Sequence, residues 1–204
     1  MAEALQRDAV VSSDAEPLIL VDADDREVGY ASKAACHDGH GILHRAFSLF
    51  VFNERGELLL QQRSAGKRLW PGYWSNSCCS HPRQGEDMRE ATQRRLQQEL
   101  GLRCALRYLY KFEYRADYGE LGAEHELCWV FLGRADAPVR ANRNEISAWR
   151  YASPAELERE IAQHPERLTP WLKLEWQRLR HDFTGELAAI GVGIKEDSPR
   201  WAFR

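Results

Sequence analysis

The feature that most restricts the fold is a pair of apolar runs, Ala46-Phe-Ser-Leu-Phe-Val-Phe52 and Glu57-Leu-Leu-Leu-Gln-Gln-Arg63, divided by Asn53-Glu-Arg-Gly56. Short runs rich in Phe, Val and Leu on either side of an Asn/Gly segment form a β-hairpin. Upstream, the alternation in Leu18–Tyr30 predicts a strand, a turn around Ala23–Asp25 and a returning strand. Lys33–Leu43 reads as a loop or short helix, and Trp70–Pro82, punctuated by Pro and Gly, as a loop. Met88, Thr92 and Leu96 repeat every fourth residue in Glu86–Leu100, which predicts a helix stopped by Gly101. Further strands are expected over Arg107–Tyr114, Glu126–Leu132 and Ala148–Tyr151. Ser153-Pro-Ala-Glu156 is a capping box opening a helix to about Gln163, and a last helix begins near Thr169-Pro170.

This order predicts an α/β or α+β fold, a mixed β-sheet sandwiched between helices in a single domain. The domain is expected over residues 17–182. Residues 1–16, polar and aperiodic, are expected to be a flexible arm, and residues 183–204 a C-terminal extension of uncertain structure.

The 204 residues suit one domain with a real core, and a net charge of −3 supplies no broad basic field. Nucleic acid is therefore not an expected partner. The small basic groups Arg63/Lys67/Arg68 and Arg94/Arg95 could grip a small anion. Pro17–Val21 is strand-sized and flanked by acidic residues, and no early run is apolar enough for a membrane span or signal peptide. A cytoplasmic protein with no membrane partner is expected. Its five cysteines, odd in number and irregularly spaced, are then free thiols.

Three histidines, His37, His44 and His81, stand beside turn or loop residues, and Glu124-His-Glu126 follows far downstream. On a strand the two glutamates share a face and can reach one point. Imidazoles with two carboxylates would suit a divalent first-row ion. Independent loop histidines fit the spacing equally well, because convergence across distant segments is not encoded in it. Cys79 lies in a loop context where thiols are commonly accessible, and a thiol with a pKa near ~8.5 exchanges protons at neutral pH. A buried apolar cysteine is the plainer alternative.

These segments resemble the Nudix-fold isopentenyl-diphosphate isomerases. The resemblance runs from about Leu18 to Arg180 and rests on six segments in register. They are Lys33-Ala-Ala-Cys-His37, Leu43-His-Arg-Ala-Phe-Ser48, Lys67 through Trp70-Pro-Gly-Tyr-Trp-Ser-Asn-Ser-Cys-Cys-Ser-His-Pro82, Tyr114-Arg-Ala116, Glu124-His-Glu126 and Thr169-Pro-Trp171. The Nudix pattern G-x5-E-x7-R-E-U-x-E-E-x-G-U lies over Ser80–Leu102, where Glu86, Arg94, Leu96, Glu99, Gly101 and Leu102 match. Ser80 replaces the opening glycine, while Arg95 and Gln98 replace two glutamates. Of the helical carboxylates that hold Mg²⁺ in Nudix hydrolases only Glu99 survives, which argues for binding a diphosphate rather than cleaving it.

By this resemblance His37, His44, His81, Glu124 and Glu126 hold one divalent ion, Mn²⁺ or Zn²⁺. Glu99 and the backbone carbonyl of Cys79 hold a Mg²⁺ shared with the substrate, and Lys33, Arg63, Lys67 and Arg95 grip its diphosphate. Cys79 would work on one face of the alkene, Glu126 with Tyr114 on the other, and Trp171 would shelter the carbocation. The implied partner is a small prenyl diphosphate, and the implied assembly a monomer or weak homodimer. Two rival readings are a Nudix pyrophosphohydrolase of a nucleoside diphosphate derivative and a non-catalytic module stapled by a metal.

Overall fold

The computed structural model describes residues 9–194; the outer parts of the expected arm and extension, residues 1–8 and 195–204, lie outside it. The expected hairpin is formed by β3 (His44–Phe52) and β4 (Leu58–Arg63), joined through Gly56 at φ +70°. It opens at once: Phe52↔Leu58 is the one register pair between the two strands. The segment expected as a loop fills the opening with two short strands, β5 (Trp74–Ser75) on β4 and β6 (Cys78–Ser80) on β3. Ser77 spans the wedge, its hydroxyl accepting from Val51 N at 2.9 Å and donating to Leu59 O at 2.7 Å. Polar groups of this loop thus satisfy the strand edges that the splayed hairpin leaves open.

The remaining strands build outward. β1 (Pro17–Val21) and β2 (Glu27–Ser32) form an antiparallel hairpin that meets β3 at Leu20↔His44. On the other side of β3, β8 (Ala123–Arg134) runs parallel to it, with β7 (Leu106–Asp117) antiparallel to β8. β9 (Ile146–Ala152) pairs antiparallel with β4. The sheet is mixed, as expected.

Alternation along β3 sorts its side chains into two apolar layers. Phe47, Leu49 and Val51 pack with Ala91, Leu96 and Leu100 of a helix α2 (Met88–Leu100). Phe50 and Phe52 pack with Leu157 and Ile161 of α3 (Pro154–Gln163) and Trp176 and Leu179 of α4 (Pro170–Asp182). Burial on both faces explains why this strand is almost wholly apolar. A five-residue helix, α1 (Lys33–His37), capped by Ser32, replaces the looser alternative for that segment.

Helix ends follow local chemistry. Asp87 caps α2 by accepting from Arg89 N, so the helix starts two residues after the expected Glu86. Glu86 instead receives Arg94 at 2.6 and 2.7 Å, joining the preceding turn to the helix. The capping box of α3 makes both its bonds. Within the expected arm, residues 9–16 are tied down: Asp14 O accepts from Ala34 N at 2.9 Å, and Val11 O from Arg95 Nη1 at 2.6 Å. Past α4, the extension adds α5 (Thr184–Ala189), and Leu187 and Val192 are buried in the core. Among the described residues no helix is long and apolar enough to cross a membrane.

Candidate active site

Strand register assembles one end of the site. His44 of β3 stands opposite Glu126 of β8, and Glu126 opposite Tyr114 of β7, so three neighbouring strands place these side chains in one row. The even-numbered residues of β8 begin with Glu124 and Glu126 and continue as Cys128, Val130 and Leu132, a single stripe turning from carboxylate to core. On the other side of β3 the wedge pairs Cys79 with Ser48, and His81 follows on the same face two residues later.

The ligand-bearing atoms of His37, His44, His81 and Glu126 lie within 4.8 Å of one another. His44 Nε2 is 3.2 Å from His81 Nε2, which is 3.3 Å from Glu126 Oε1. Glu124, expected in the same group, stands beside it and reaches His37 Nε2 at 2.7 Å. His37 Nδ1 lies 2.6 Å from Lys33 O, and His44 Nδ1 2.7 Å from Ile42 O. A carbonyl can only accept, so each Nδ1 carries a proton; neutral His44 then turns its Nε2 lone pair inward, while His37 Nε2 faces the Glu124 carboxylate, which raises the His37 pKa against the effect of burial. Burial, then the neighbouring His37, lowers His44 to about 4. Burial and His44 push His81 well below its usual value. Three imidazoles and a carboxylate converge here in a buried site, where a cation between them would be bound by all four. The donor set therefore fits a divalent ion.

In the same cavity, the Cys79 thiol donates to Asn76 Oδ1 at 3.0 Å and lies 3.4 Å from Ser48 Oγ. Burial, reinforced by Glu175, holds this thiol far above the usual range, so it keeps its proton. Tyr114 donates to Glu126 Oε2 at 2.8 Å, and burial beside Glu124 pushes Glu126 well above the ordinary carboxylate range. Trp171 donates Nε1 to Ser75 Oγ at 2.9 Å, meets the ring of Trp70 edge-on at 5.3 Å, and carries the Arg63 guanidinium 5.2 Å from its centroid.

These groups line one cavity of about 350 Å³. Cys79, Glu126, Tyr114 and Trp171 line it, and so do Lys33, Arg63, Lys67 and Arg95. The volume suits a small ligand with an apolar and an anionic end. Glu99 is buried against Arg95, which donates to it at 3.1 and 2.6 Å.

Comparison with known proteins gives the family. The NUDIX domain matches residues 42–172. Over 163 residues the chain is 44% identical to isopentenyl-diphosphate Delta-isomerase 1 of Photorhabdus laumondii, covering 79% of this chain and 93% of that protein. The chain belongs to the isopentenyl-diphosphate Delta-isomerase family. The isopentenyl-diphosphate Delta-isomerase of Halorhodospira halophila is 42% identical, covering 78% of this chain and 91% of its own. In fold it is similar to the DR0079 protein of Deinococcus radiodurans, with a TM-score of 0.67, 25% identity, and 80% and 98% of the two chains covered.

Within this isomerase-family chain, four polar residues beside the site were given no role by the sequence reading, although Ser48 and Asn76 stand inside its motifs. Ser48 carried a usable signal, because it shares the alternating face of His44 on the hairpin strand. Asn76 had a weaker one, in its loop beside Cys79. Glu145 lies in the turn before β9 and Glu175 in an amphipathic helix; nothing in their neighbours along the chain marks either.

Proposed function

We propose that the protein interconverts isopentenyl and dimethylallyl diphosphate by adding a proton to one carbon of the substrate and removing one from another. The observation that carries this reading is the single cavity in which a thiol, Cys79, and a hydrogen-bonded carboxyl–phenol pair, Glu126 with Tyr114, both line the wall. Protonating the terminal methylene of isopentenyl diphosphate forms a tertiary carbocation. Loss of a proton from the adjoining methylene then sets the double bond in its new place. Two proton carriers and a shelter for positive charge meet that need. Cys79 serves one face of the alkene, Glu126 relayed by Tyr114 the other, and the two exchange roles when the reaction runs backwards.

Trp171 supplies the shelter: its indole face, fixed by the bond to Ser75, stabilises a desolvated cation by ~2 kcal/mol. Trp70 packs against it and keeps out water, which would otherwise trap the cation as an alcohol. Lys33, Arg63, Lys67 and Arg95 grip the diphosphate and so fix the tail between the proton carriers. His37, His44, His81, Glu124 and Glu126 would hold a divalent ion, Mn²⁺ or Zn²⁺, and Glu99 with the Cys79 carbonyl would hold a Mg²⁺ that binds with the substrate. Such ions would supply positive charge that favours the ionised form of Glu126 and attracts the diphosphate.

The test is to incubate the purified protein with isopentenyl diphosphate and Mg²⁺ and follow products by NMR. Dimethylallyl diphosphate is expected. Release of phosphate from a nucleotide panel, with no movement of the double bond, would instead make the protein a Nudix pyrophosphohydrolase.

A further inference from the structure

The anionic end of the cavity contains a carboxylate for which the proposed reaction has no use. Arg63 turns its fork to the carbonyls of Leu69 and Trp70, at 2.8 and 3.1 Å, and Lys33 donates to Ser12 Oγ at 2.6 Å. Lys67 is spent differently: its ammonium is paired with Glu145 Oε2. Arg95 Nη2, already bonded to Glu99, also faces Glu145 Oε2 at 3.5 Å. The Arg95–Glu99 contact is a helical pair one turn apart and belongs to α2. Glu145 has another origin. It sits on the turn before β9, with its backbone N–H on Asn142 O at 3.1 Å and its carbonyl accepting from Ser64 N at 2.9 Å. Its side chain is 4% exposed and lines the same cavity as the four cations.

We propose that Glu145 and the substrate diphosphate compete for the same two cations, so that Glu145 is an internal stand-in for the diphosphate and a determinant of which anions enter. This rests on the reading of Lys67 and Arg95 as diphosphate contacts. A lysine has three donors and an arginine five. Arg95 commits Nε and one Nη2 direction to Glu99 and one Nη1 direction to Val11 O. The Nη2 edge that remains is the one Glu145 faces. A phosphate oxygen bound to both cations takes the place of that carboxylate oxygen. Glu145 also has a use in the protein: without it, Lys67 and Arg95 would be like charges crowded in a largely buried pocket, a costly arrangement. Burial opposes the charge on Glu145, but Lys67 and Arg95 hold its carboxyl below the usual range, so it competes as an anion.

The experiment is calorimetric titration with inorganic diphosphate in the presence of Mg²⁺, on wild type, Lys67→Ala and Glu145→Gln. Lys67→Ala reports on the underlying reading: if wild type binds diphosphate and Lys67→Ala binds it as well, Lys67 is no diphosphate contact and the cradle assignment fails. If Lys67→Ala weakens binding, Glu145→Gln decides the competition. Removing the internal competitor should tighten diphosphate binding at least about fivefold, the lower end of ordinary site-to-site coupling, and lower KM for isopentenyl diphosphate in parallel. A supporting or merely structural role predicts the reverse, so unchanged or weaker binding overturns the proposal. A crystal structure of the wild-type diphosphate complex gives a reading that needs no variant. Glu145 is expected beyond hydrogen-bond reach of Lys67, and its persistence on Lys67 alongside bound diphosphate overturns the proposal equally.

Discussion

At Cys79 a proton is held by a group that in water would part with it far more easily, while the carboxyl of Glu126, raised by the same burial, would be returned toward its ionised form by the proposed ion. Each has polar partners: Asn76 Oδ1 accepts from the thiol and Ser48 lies beside it, and the hydroxyl of Tyr114 bonds the carboxyl and can pass a proton to it. On the proposed mechanism, replacing either carrier removes a positioned acid or base, a loss of ~10²–10⁴-fold in rate. Cys79→Ala and Glu126→Gln should each lower kcat by at least that range while diphosphate binding persists, which single-turnover kinetics beside calorimetry will show. A Cys79→Ala enzyme turning over at the wild-type rate would remove the thiol from the chemistry. The sequence announced these residues only through their motif context. His44, Glu126 and Tyr114 share one row because of strand pairing between distant segments, and that register is invisible in any one of them. Glu145 was illegible for a related reason: its significance comes from Lys67 and Arg95, which approach from other elements.

Elements position these side chains, and the most consequential is the wedge that splays β3 from β4. The hairpin itself could be read from Ala46–Arg63. Its opening could not, because β5 and β6 are too short to show any periodicity. The contact between α1 and the start of β8 is equally tight. A Cβ on Gly122, at φ +147°, would stand 2.1 Å from the His37 carbonyl. Gly122→Ala must therefore push α1 away and displace His37 from its partners; weaker divalent-ion affinity on titration is expected, and unchanged affinity would show that α1 does not position a ligand. On α4, Glu175 is fully buried and burial raises its carboxyl to about 8. A raised folded-state pKa stabilises the protein below the unfolded value near ~4.3, and that contribution is lost as pH climbs to about 8. Glu175→Gln, a neutral mimic, should therefore gain on wild type as pH rises through this window, by on the order of a few kcal/mol, then level off. Denaturant melts at pH 5, 7 and 9 check it; a difference independent of pH would mean that Glu175 is ionised in the folded protein across the whole range.

For the molecule as a whole, the mixed sheet between helices followed from the order of periodic segments, and the described elements keep that order with shifted ends. The expected arm departs most, since residues 9–16 meet Lys33, Ala34 and Arg95, contacts that an aperiodic polar stretch does not advertise. The proposed ion site would tie the whole together, because its candidate ligands come from α1, β3, β8 and the segment after β6. An ion bound only by the folded chain stabilises it by mass action, about 2.7 kcal/mol at a hundredfold excess over Kd. Chelation should therefore lower Tm and a divalent ion restore it; a Tm indifferent to chelator would leave the histidines as simple core residues.

The most direct test of proton addition and removal is turnover in D₂O with Mg²⁺, followed by NMR of the recovered prenyl diphosphate. Exchange of the thiol and carboxyl protons with solvent predicts deuterium in a methyl group of the dimethylallyl product. Unlabelled product formed at full rate, or diphosphate cleavage without any dimethylallyl product, would contradict the account.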